Sequence, residues 1–294
     1  MNILILGGNG YLGSKVTNYL LREGHNITCT KRETSNISRL RGNKVNWIPA
    51  SVEAVEVAAG YAQFDWVINM VCNYGRSTVL YDNVLEANIE FPLRVLNKAA
   101  EYKVKNFLTI GTGLPDRFNM YSFSKSMFGS FGAFYAEKQG INFYDLKLEM
   151  FYGADEPSDR FISSVVYNML MGKEVNMTIG TQKRDIIWVE DIVNAVAMVI
   201  HANISGYHEI SVGTGVAPSV SEIVEYIWKE TGFCSKLNKG TVPMREYEPD
   251  CVADTSFLSG IGKWEPVDWK TGLHRMIEDV RYEMEHREAE VGRE

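Results

Sequence analysis

The chain opens with a strand-like run, Asn2 to Leu6, that leads straight into Gly7-Gly8-Asn9-Gly10-Tyr11-Leu12-Gly13. A helical pattern follows from Tyr11 to Glu23 and stops at Gly24. Few folds can use that order of strand, glycine turn and helix. Gly8, Gly10 and Gly13 satisfy G-x-G-x-x-G, and Gly7, Gly10 and Gly13 satisfy G-x-x-G-x-x-G. Either set supplies a tight turn, a bare backbone and a close helix-to-strand approach, so that a pyrophosphate can rest on the helix N-terminus. Gly7, Gly10, Tyr11, Leu12 and Gly13 are therefore the candidate residues for binding a dinucleotide cofactor.

The rest of the first half reads as a continuation of that unit. Asn26 to Thr30, Val45 to Ile48, Asp65 to Val71 and Asn106 to Ile110 read as strands, and most are separated by helical patterns. Strands alternating with helices predict a parallel sheet. The fold class expected is α/β, a Rossmann-type doubly wound parallel sheet with a smaller, discontinuous C-terminal lobe. The second strand runs into Lys31-Arg32-Glu33, where the adenosine ribose of a dinucleotide would lie. Lys31 and Arg32 favour the 2′-phosphate of NADP(H), while Glu33 keeps NAD(H) open. Asn73, Tyr74, Gly75 and Arg76 follow the carboxyl end of the fourth strand, the edge at which open α/β sheets bind ligands. A helical pattern from Val79 to Tyr102 contains the Phe91-Pro92 step, a point for a bend or restart.

Tyr121-Ser122-Phe123-Ser124-Lys125 opens a further helical run, to Gln139. Four-residue spacing puts the phenol and the ammonium one turn apart on one helix face. An ammonium there lowers the phenol's pKa and equips it for proton transfer. Thr112, at the carboxyl end of the fifth strand, can donate to the same substrate oxygen as Tyr121. Thr112, Tyr121 and Lys125 are the candidate catalytic residues, with Lys125 also placed to hold the nicotinamide ribose.

In order and kind, these motifs resemble the extended short-chain dehydrogenase/reductases of the nucleotide-sugar epimerase/dehydratase group over nearly the whole chain. Leu146-Lys147-Leu148-Glu149-Met150-Phe151-Tyr152-Gly153 is similar to the family's L-R-L-x-N-V-Y-G segment; Lys147 stands for its Arg and Met150 for its Asn. Arg184-Asp185-Ile186-Ile187-Trp188-Val189-Glu190-Asp191 resembles R-D-x-x-x-V-x-D, and the resemblance implies that Arg184 grips a sugar-nucleotide diphosphate. Tyr74, Arg76 and Thr112 complete the candidate substrate-binding set. Gly206 to Gly213, before a helix from Ser219, is similar to the family's later strand-helix step. By the same analogy, residues 1–150 with about 184–205 form the dinucleotide-binding domain, 151–183 with 206–287 the substrate lobe, and 288–294 a flexible tail.

The resemblance also narrows the chemistry. Relatives that dehydrate a sugar place carboxylates just after the threonine, where this chain has Gly113 and Leu114. Only eight residues separate Thr112 from Tyr121, a shorter connection than relatives usually carry. An epimerase retains its cofactor and usually takes NAD, whereas a reductase consumes NADPH, so Lys31 and Arg32 tilt the expectation to a reductase. Several of these stretches are most similar to the branch of the family that reduces 4-keto-6-deoxy sugars carried on CDP. A nucleotide-sugar 4-epimerase using NAD is the alternative. A non-catalytic NADP-binding regulator is a second, against which the intact Thr112, Tyr121 and Lys125 argue.

Composition excludes other classes. Thirty cationic and 37 acidic side chains leave a net charge of −7, unsuited to nucleic acid as a general partner. Cys29, Cys72, Cys234 and Cys251 form no C-x-x-C pair and the five histidines show no metal-ligand spacing, so no metal is expected. No apolar run approaches the ~18 residues of a membrane span, and the first is interrupted at Gly7. A reduced, cytoplasmic protein without membrane contact is expected, with a homodimer through the helices of residues 79–102 and 121–139 as the family-type assembly.

Overall fold

The structure, a computed structural model, describes residues 1–76 and 81–291, with side chains as far as His286. In chain order its elements are β1 (Asn2–Leu6), α1 (Tyr11–Arg22), β2 (Asn26–Lys31), β3 (Val45–Pro49), α2 (Val52–Tyr61), β4 (Trp66–Asn69), α3 (Asp82–Leu85), α4 (Phe91–Glu101), β5 (Asn106–Ile110), α5 (Met120–Gln139) and β6 (Asn142–Leu148). There follow β7 (Met150–Tyr152), α6 (Phe161–Leu170), β8 (Val175–Met177), β9 (Ile186–Trp188), α7 (Val189–Ala202), β10 (Tyr207–Val212), α8 (Val220–Glu230), β11 (Leu237–Lys239), α9 (Ser256–Ile261) and α10 (Trp269–Val291).

The chain divides into two compact units. The first comprises Met1–Leu148, Val193–Val212 and Ser256–Lys263. Its seven strands form one parallel sheet in the order β10-β6-β5-β4-β1-β2-β3. Chain order reverses between β1 and β4, which is where a doubly wound sheet opens a crevice at its carboxyl edge. Ile3, Leu4, Ile5 and Leu6 are all fully buried, as a central strand covered on both faces requires. On one face Phe107, Phe128 and Phe143 close the core, with the Phe107 and Phe143 rings 5.4 Å apart and 3° from parallel. Gly132 of α5 permits this, since a Cβ there would fall within the Phe143 ring.

The helical run expected from Val79 begins outside the described residues. Its described part has a physical break in the middle: α3 gives way to a wide π turn over Glu86–Glu90 before α4. Pro92 cannot donate a backbone hydrogen bond to the carbonyl four residues earlier, that of Asn88. The loosened turn accommodates Asn88, whose buried amide donates to the Asn73 carbonyl and the Ser124 hydroxyl, both at 2.9 Å.

The second unit comprises Glu149–Ile192, Gly213–Thr255 and Trp264–Glu294. Two parallel pairs, β7 with β9 and β8 with β11, sit with α6, α8 and α10 around a core that includes Tyr152, Val166, Trp188, Ile223 and Ile277. The expected boundaries shift in four places, the first being residues 149–150, which belong to the second unit. Residues 184–192 lie in the second unit because β9 pairs with β7 and Arg184 bridges to Cys251. Residues 206–212 lie in the first, because β10 (Tyr207–Val212) runs in register with β6 along all six residues. Ser256–Lys263 also counts with the first unit, Phe257 lying 5.4 Å from the ring of His208 on β10. Helix α10 continues through Val291, into the stretch expected to be a flexible tail; the last three residues lie outside the described part.

Candidate active site

At the glycine turn, Gly7 adopts φ +76°, a left-handed conformation that disfavours any side chain, and a Cβ on it would press against the backbone of Met70 and Val71 at 3.2 Å. A Cβ on Gly13 would strike the Gly7 carbonyl. Between them the Gly10 amide donates to that carbonyl at 3.1 Å and Gly10 becomes the N-cap of α1. No side chain caps this helix, whose first turn opens with the amides of Tyr11 and Leu12. The bare backbone at the start of α1 fits the pyrophosphate of a dinucleotide, and Gly7, Gly10 and Gly13 are the glycines that shape it.

Lys31 ends β2 and Arg32 follows it. The Lys31 ammonium lies 6.0 Å from the centre of the Trp47 ring on β3, while exposed Arg32 donates its backbone N–H to the Ser35 hydroxyl at 3.0 Å. The chain then folds back over the glycine turn: the Asn9 amide donates to the Asn36 carbonyl at 3.3 Å, and the Arg39 guanidinium lies 5.8 Å from the Tyr11 ring centre. Arg39 is a cation that sequence reasoning missed, because nothing in the spacing of residues 32–41 reveals that they return to Tyr11.

The proton-transfer residues sit at the start of α5. Asn119 caps this helix reciprocally with Ser122, which fixes its first turn and thus the direction of Tyr121 and Lys125. Lys125 is buried, and its ammonium donates to the Val71 carbonyl at 3.0 Å, tying α5 to the segment after β4. Desolvation by burial pulls the Lys125 pKa down, with the acidic groups of Cys72 and Asp145 acting in the opposite sense. The Tyr121 ring lies 5.0 Å from that of Tyr74, tilted by 44°, and the Arg76 guanidinium lies 5.0 Å from the Tyr74 ring centre. The structure therefore brings Tyr74 and Arg76 to Tyr121, with Lys125 one turn further along α5.

Two features hold that group in place. Asn88 bonds the Asn73 backbone on both sides, accepting from its N–H at 2.8 Å and donating to its carbonyl at 2.9 Å. The Ser124 hydroxyl links Asn88 to the Tyr121 carbonyl, to which it donates at 2.8 Å. Neither Asn88 nor Ser124 was legible as a site residue; an asparagine in a helical run interrupted by proline was the available signal. Thr112 is buried just past β5, where the Gly111 and Gly113 amides continue the pairing to Leu146 and Leu148 at 2.8 Å. Its hydroxyl accepts from the Leu114 N–H at 3.3 Å and still has its own proton to donate.

Arg184 belongs to the second unit. Its guanidinium is buried and donates to the Lys183 carbonyl at 2.8 Å, to the Pro249 carbonyl, and to the Glu248 carboxylate at 2.6 Å. Asp185 accepts from the Thr214 N–H and hydroxyl, the Gly215 N–H and the Ala253 N–H, which makes it the organiser of this corner. Burial pushes the neighbouring Glu149 carboxyl up to about 7, with Asp185 adding to the rise and Arg184 opposing it. Among the described residues no group of three or more His, Cys, Asp or Glu side chains is arranged to hold a metal, and no helix is long and apolar enough to cross a membrane.

The chain is similar to the CDP-abequose synthase of Salmonella muenchen, 26% identical over 285 residues, which cover 94% of this chain and 96% of that one. Its fold resembles that of a UDP-glucose 4-epimerase from Thermotoga maritima solved with UDP-glucose, with a TM-score of 0.87 and 22% identity over 97% of this chain and all of that one. It also resembles the Thermus thermophilus UDP-glucose 4-epimerase in complex with NAD, with a TM-score of 0.81 and 20% identity, covering 96% of this chain and 99% of the other. Residues 3–213, a span that includes the glycine turn, Thr112, Tyr121 and Lys125, match the NAD dependent epimerase/dehydratase family; the chain belongs to that family.

Proposed function

We propose that the protein is an NADPH-dependent reductase of a nucleotide-linked 4-keto-6-deoxy sugar, with a CDP-linked sugar as the leading substrate. The observation that carries this reading is the near end-to-end similarity to a CDP-abequose synthase, in a chain that keeps Thr112, Tyr121 and Lys125 but has no carboxylate at residues 113 and 114. When bound, the cofactor supplies the hydride for C4 of the sugar. The chain's own residues do the rest. Gly7, Gly10 and Gly13 leave room for the pyrophosphate over the amides of Tyr11 and Leu12, and Lys31 and Arg32 bind the 2′-phosphate. Tyr121 gives its phenolic proton to the C4 oxygen as negative charge grows there, Thr112 donates a second hydrogen bond to that oxygen, and Lys125 favours the phenolate left behind. Arg184 binds the sugar-nucleotide diphosphate, for which a guanidinium offers paired donors. Tyr74 and Arg76 line the sugar end beside Tyr121.

A screen of nucleotide 4-keto sugars, with NADPH oxidation as the readout, tests the reading directly. Turnover of a CDP-linked 4-keto-6-deoxy sugar is the expected result, and oxidation with none of the keto sugars would sink it. The likeness of the fold to UDP-glucose 4-epimerases, one of them in complex with NAD, favours a second reading, an NAD-dependent nucleotide-sugar 4-epimerase built on the same Tyr121 and Lys125. Tightly held NAD that co-purifies with the protein, together with interconversion of 4-hydroxyl epimers without net cofactor consumption, distinguishes it. A homodimer and a cytoplasmic setting belong to the same proposal, and sedimentation of the purified chain checks the dimer.

A further inference from the structure

The carboxyl edge of the main sheet leads into an acid that the chemistry above does not use. Strands β6 and β10 finish side by side, with Leu148 opposite Val212, and the next residues are Glu149 and Gly213. The Leu148 carbonyl accepts the N–H of Gly113, the residue after Thr112, at 2.8 Å. Open parallel sheets take their ligands at this edge. Glu149 is only 8% exposed, and its carboxyl has no hydrogen-bond partner among the described residues. A buried carboxyl left unbonded is costly to keep, and a partner from outside the chain removes that cost.

Gly213 fixes where that carboxyl lies. A Cβ there would come within 2.5 Å of Asp185 Oδ2 and 2.9 Å of Glu149 Cγ, so the missing side chain lets two acids pack against one glycine. The Trp264 indole N–H holds the Gly213 carbonyl at 3.2 Å. Asp185 accepts four hydrogen bonds, from the Thr214 N–H and hydroxyl at 2.9 and 2.7 Å, the Gly215 N–H at 2.9 Å and the Ala253 N–H at 3.2 Å. Those four donors fill the acceptor positions of a carboxylate, and they suit its charged form. None is left for Glu149, so of two neighbouring acids Glu149 is the one that keeps a proton.

We propose that Glu149 is a further substrate-binding residue, a neutral carboxyl that donates a hydrogen bond to an oxygen of the bound sugar nucleotide. The proposal rests on the reading of the site as one for a nucleotide sugar, and on no choice of base or of reaction. The charged and titratable groups around the carboxyl are Asp185 and Arg184, just before β9, and the Cys251 thiol, whose segment bridges to Arg184. Desolvation by burial pushes the Glu149 carboxyl up to about 7, with Asp185 adding to the rise and Arg184 opposing it. Burial pushes the Cys251 thiol up as well, so it stays neutral over the same range. A ligand that covers the remaining surface and brings a diphosphate removes water and adds negative charge, and both favour the proton on Glu149. Binding must therefore take up a proton near pH 7 and weaken above it.

The test is calorimetric titration of the full chain with CDP-glucose and with UDP-glucose, stable 4-hydroxyl counterparts of the keto sugar whose diphosphate diester does not itself titrate between pH 6 and 8. Each is measured at both pH values in two buffers of different ionisation heat, which counts the protons bound with the ligand. The wild type is expected to bind about tenfold more weakly at pH 8 than at pH 6 and to take up close to one proton at pH 8. Glu149→Gln keeps a neutral donor of the same shape, so it should hold the pH 6 affinity at both pH values and take up no proton. Glu149→Leu should bind at least about fivefold more weakly than Glu149→Gln at either pH, the scale of one lost hydrogen bond. Wild-type binding without proton uptake, uptake that persists in Glu149→Gln, or equal affinities for the Gln and Leu variants overturns the proposal. If Glu149→Gln does not fold, the wild-type proton count decides alone. Proton-linked binding of either sugar nucleotide to a protein that reduces no keto sugar would uphold the role of Glu149 and reject the reductase, whereas a wild type that binds neither overturns both.

Discussion

Replacing Tyr121 by Phe separates chemistry from scaffold more cleanly than any other single change. The substitution deletes one phenolic oxygen and leaves the ring 5.0 Å from Tyr74, a contact of about 0.5–1.5 kcal/mol. It also leaves intact the Asn119–Ser122 cap of α5 and the Lys125 bond to the Val71 carbonyl. The fold should therefore lose no more than about 1 kcal/mol, the usual net worth of one hydrogen bond. Chemistry should lose far more, because removing a general acid slows the step by about 10² to 10⁴, or about 3–5 kcal/mol of barrier. The assay is single-turnover NADPH oxidation at saturating keto sugar, with NADPH binding and thermal unfolding measured on the same preparation. A variant that folds, binds NADPH and turns over at least about 100-fold more slowly fits the reasoning. Wild-type speed would assign the proton to another acid and end the case for Tyr121 and Lys125. A large fall in melting temperature would instead make the hydroxyl structural.

Three further outcomes follow from the geometry. Neutralising Lys31 and Arg32 together should weaken NADPH far more than NADH in equilibrium binding; equal losses, or an initial preference for NADH, would leave both cations as surface charges. Arg184→Ala should weaken binding of the sugar nucleotide with NADPH affinity unchanged, and because Glu248 already engages that guanidinium at 2.6 Å, Glu248→Gln should tighten it. Unchanged substrate affinity in both would turn attention to Arg76. Glu149 holds its proton better when folded than when unfolded, its carboxyl rising from 4.5 to about 7 through desolvation first and Asp185 next. Its contribution is therefore least unfavourable below pH 4.5 and worsens as pH climbs through 7, by up to about 3 kcal/mol. Glu149→Gln should flatten that part of the stability profile in denaturant titrations at pH 5 and 8, and parallel curves for the two proteins would reject it.

The parts of the site that were legible beforehand are those whose chemistry depends on near neighbours in the chain. A glycine turn between β1 and α1 is local: Gly7 needs its left-handed backbone and Gly13 its missing Cβ whatever the rest of the chain does. Tyr121 and Lys125 share a helix face by spacing alone, and the strands β1 to β5 announce themselves by runs of apolar residues between turns. The Phe91-Pro92 step likewise marked a real interruption, because the missing amide of proline acts within its own helix.

What required the tertiary structure is every partnership between residues distant in sequence. Whether β10 joins the main sheet is decided by six residues of register with β6, and no feature of Tyr207–Val212 encodes its neighbour. The same holds for residues 184–192, which the pairing of β9 with β7 draws into the second unit. Tyr74 and Arg76 could be placed near a ligand edge but not against Tyr121. Arg39 meets Tyr11 only because the chain doubles back, and Asn88 and Asp145 are buried polar residues whose surroundings depend on what packs above them. Local sequence determines backbone conformation and the periodicity of a face; burial, which moves the ionisation of Lys125, Asp145 and Glu149 away from ordinary values, exists only after distant segments have closed over them.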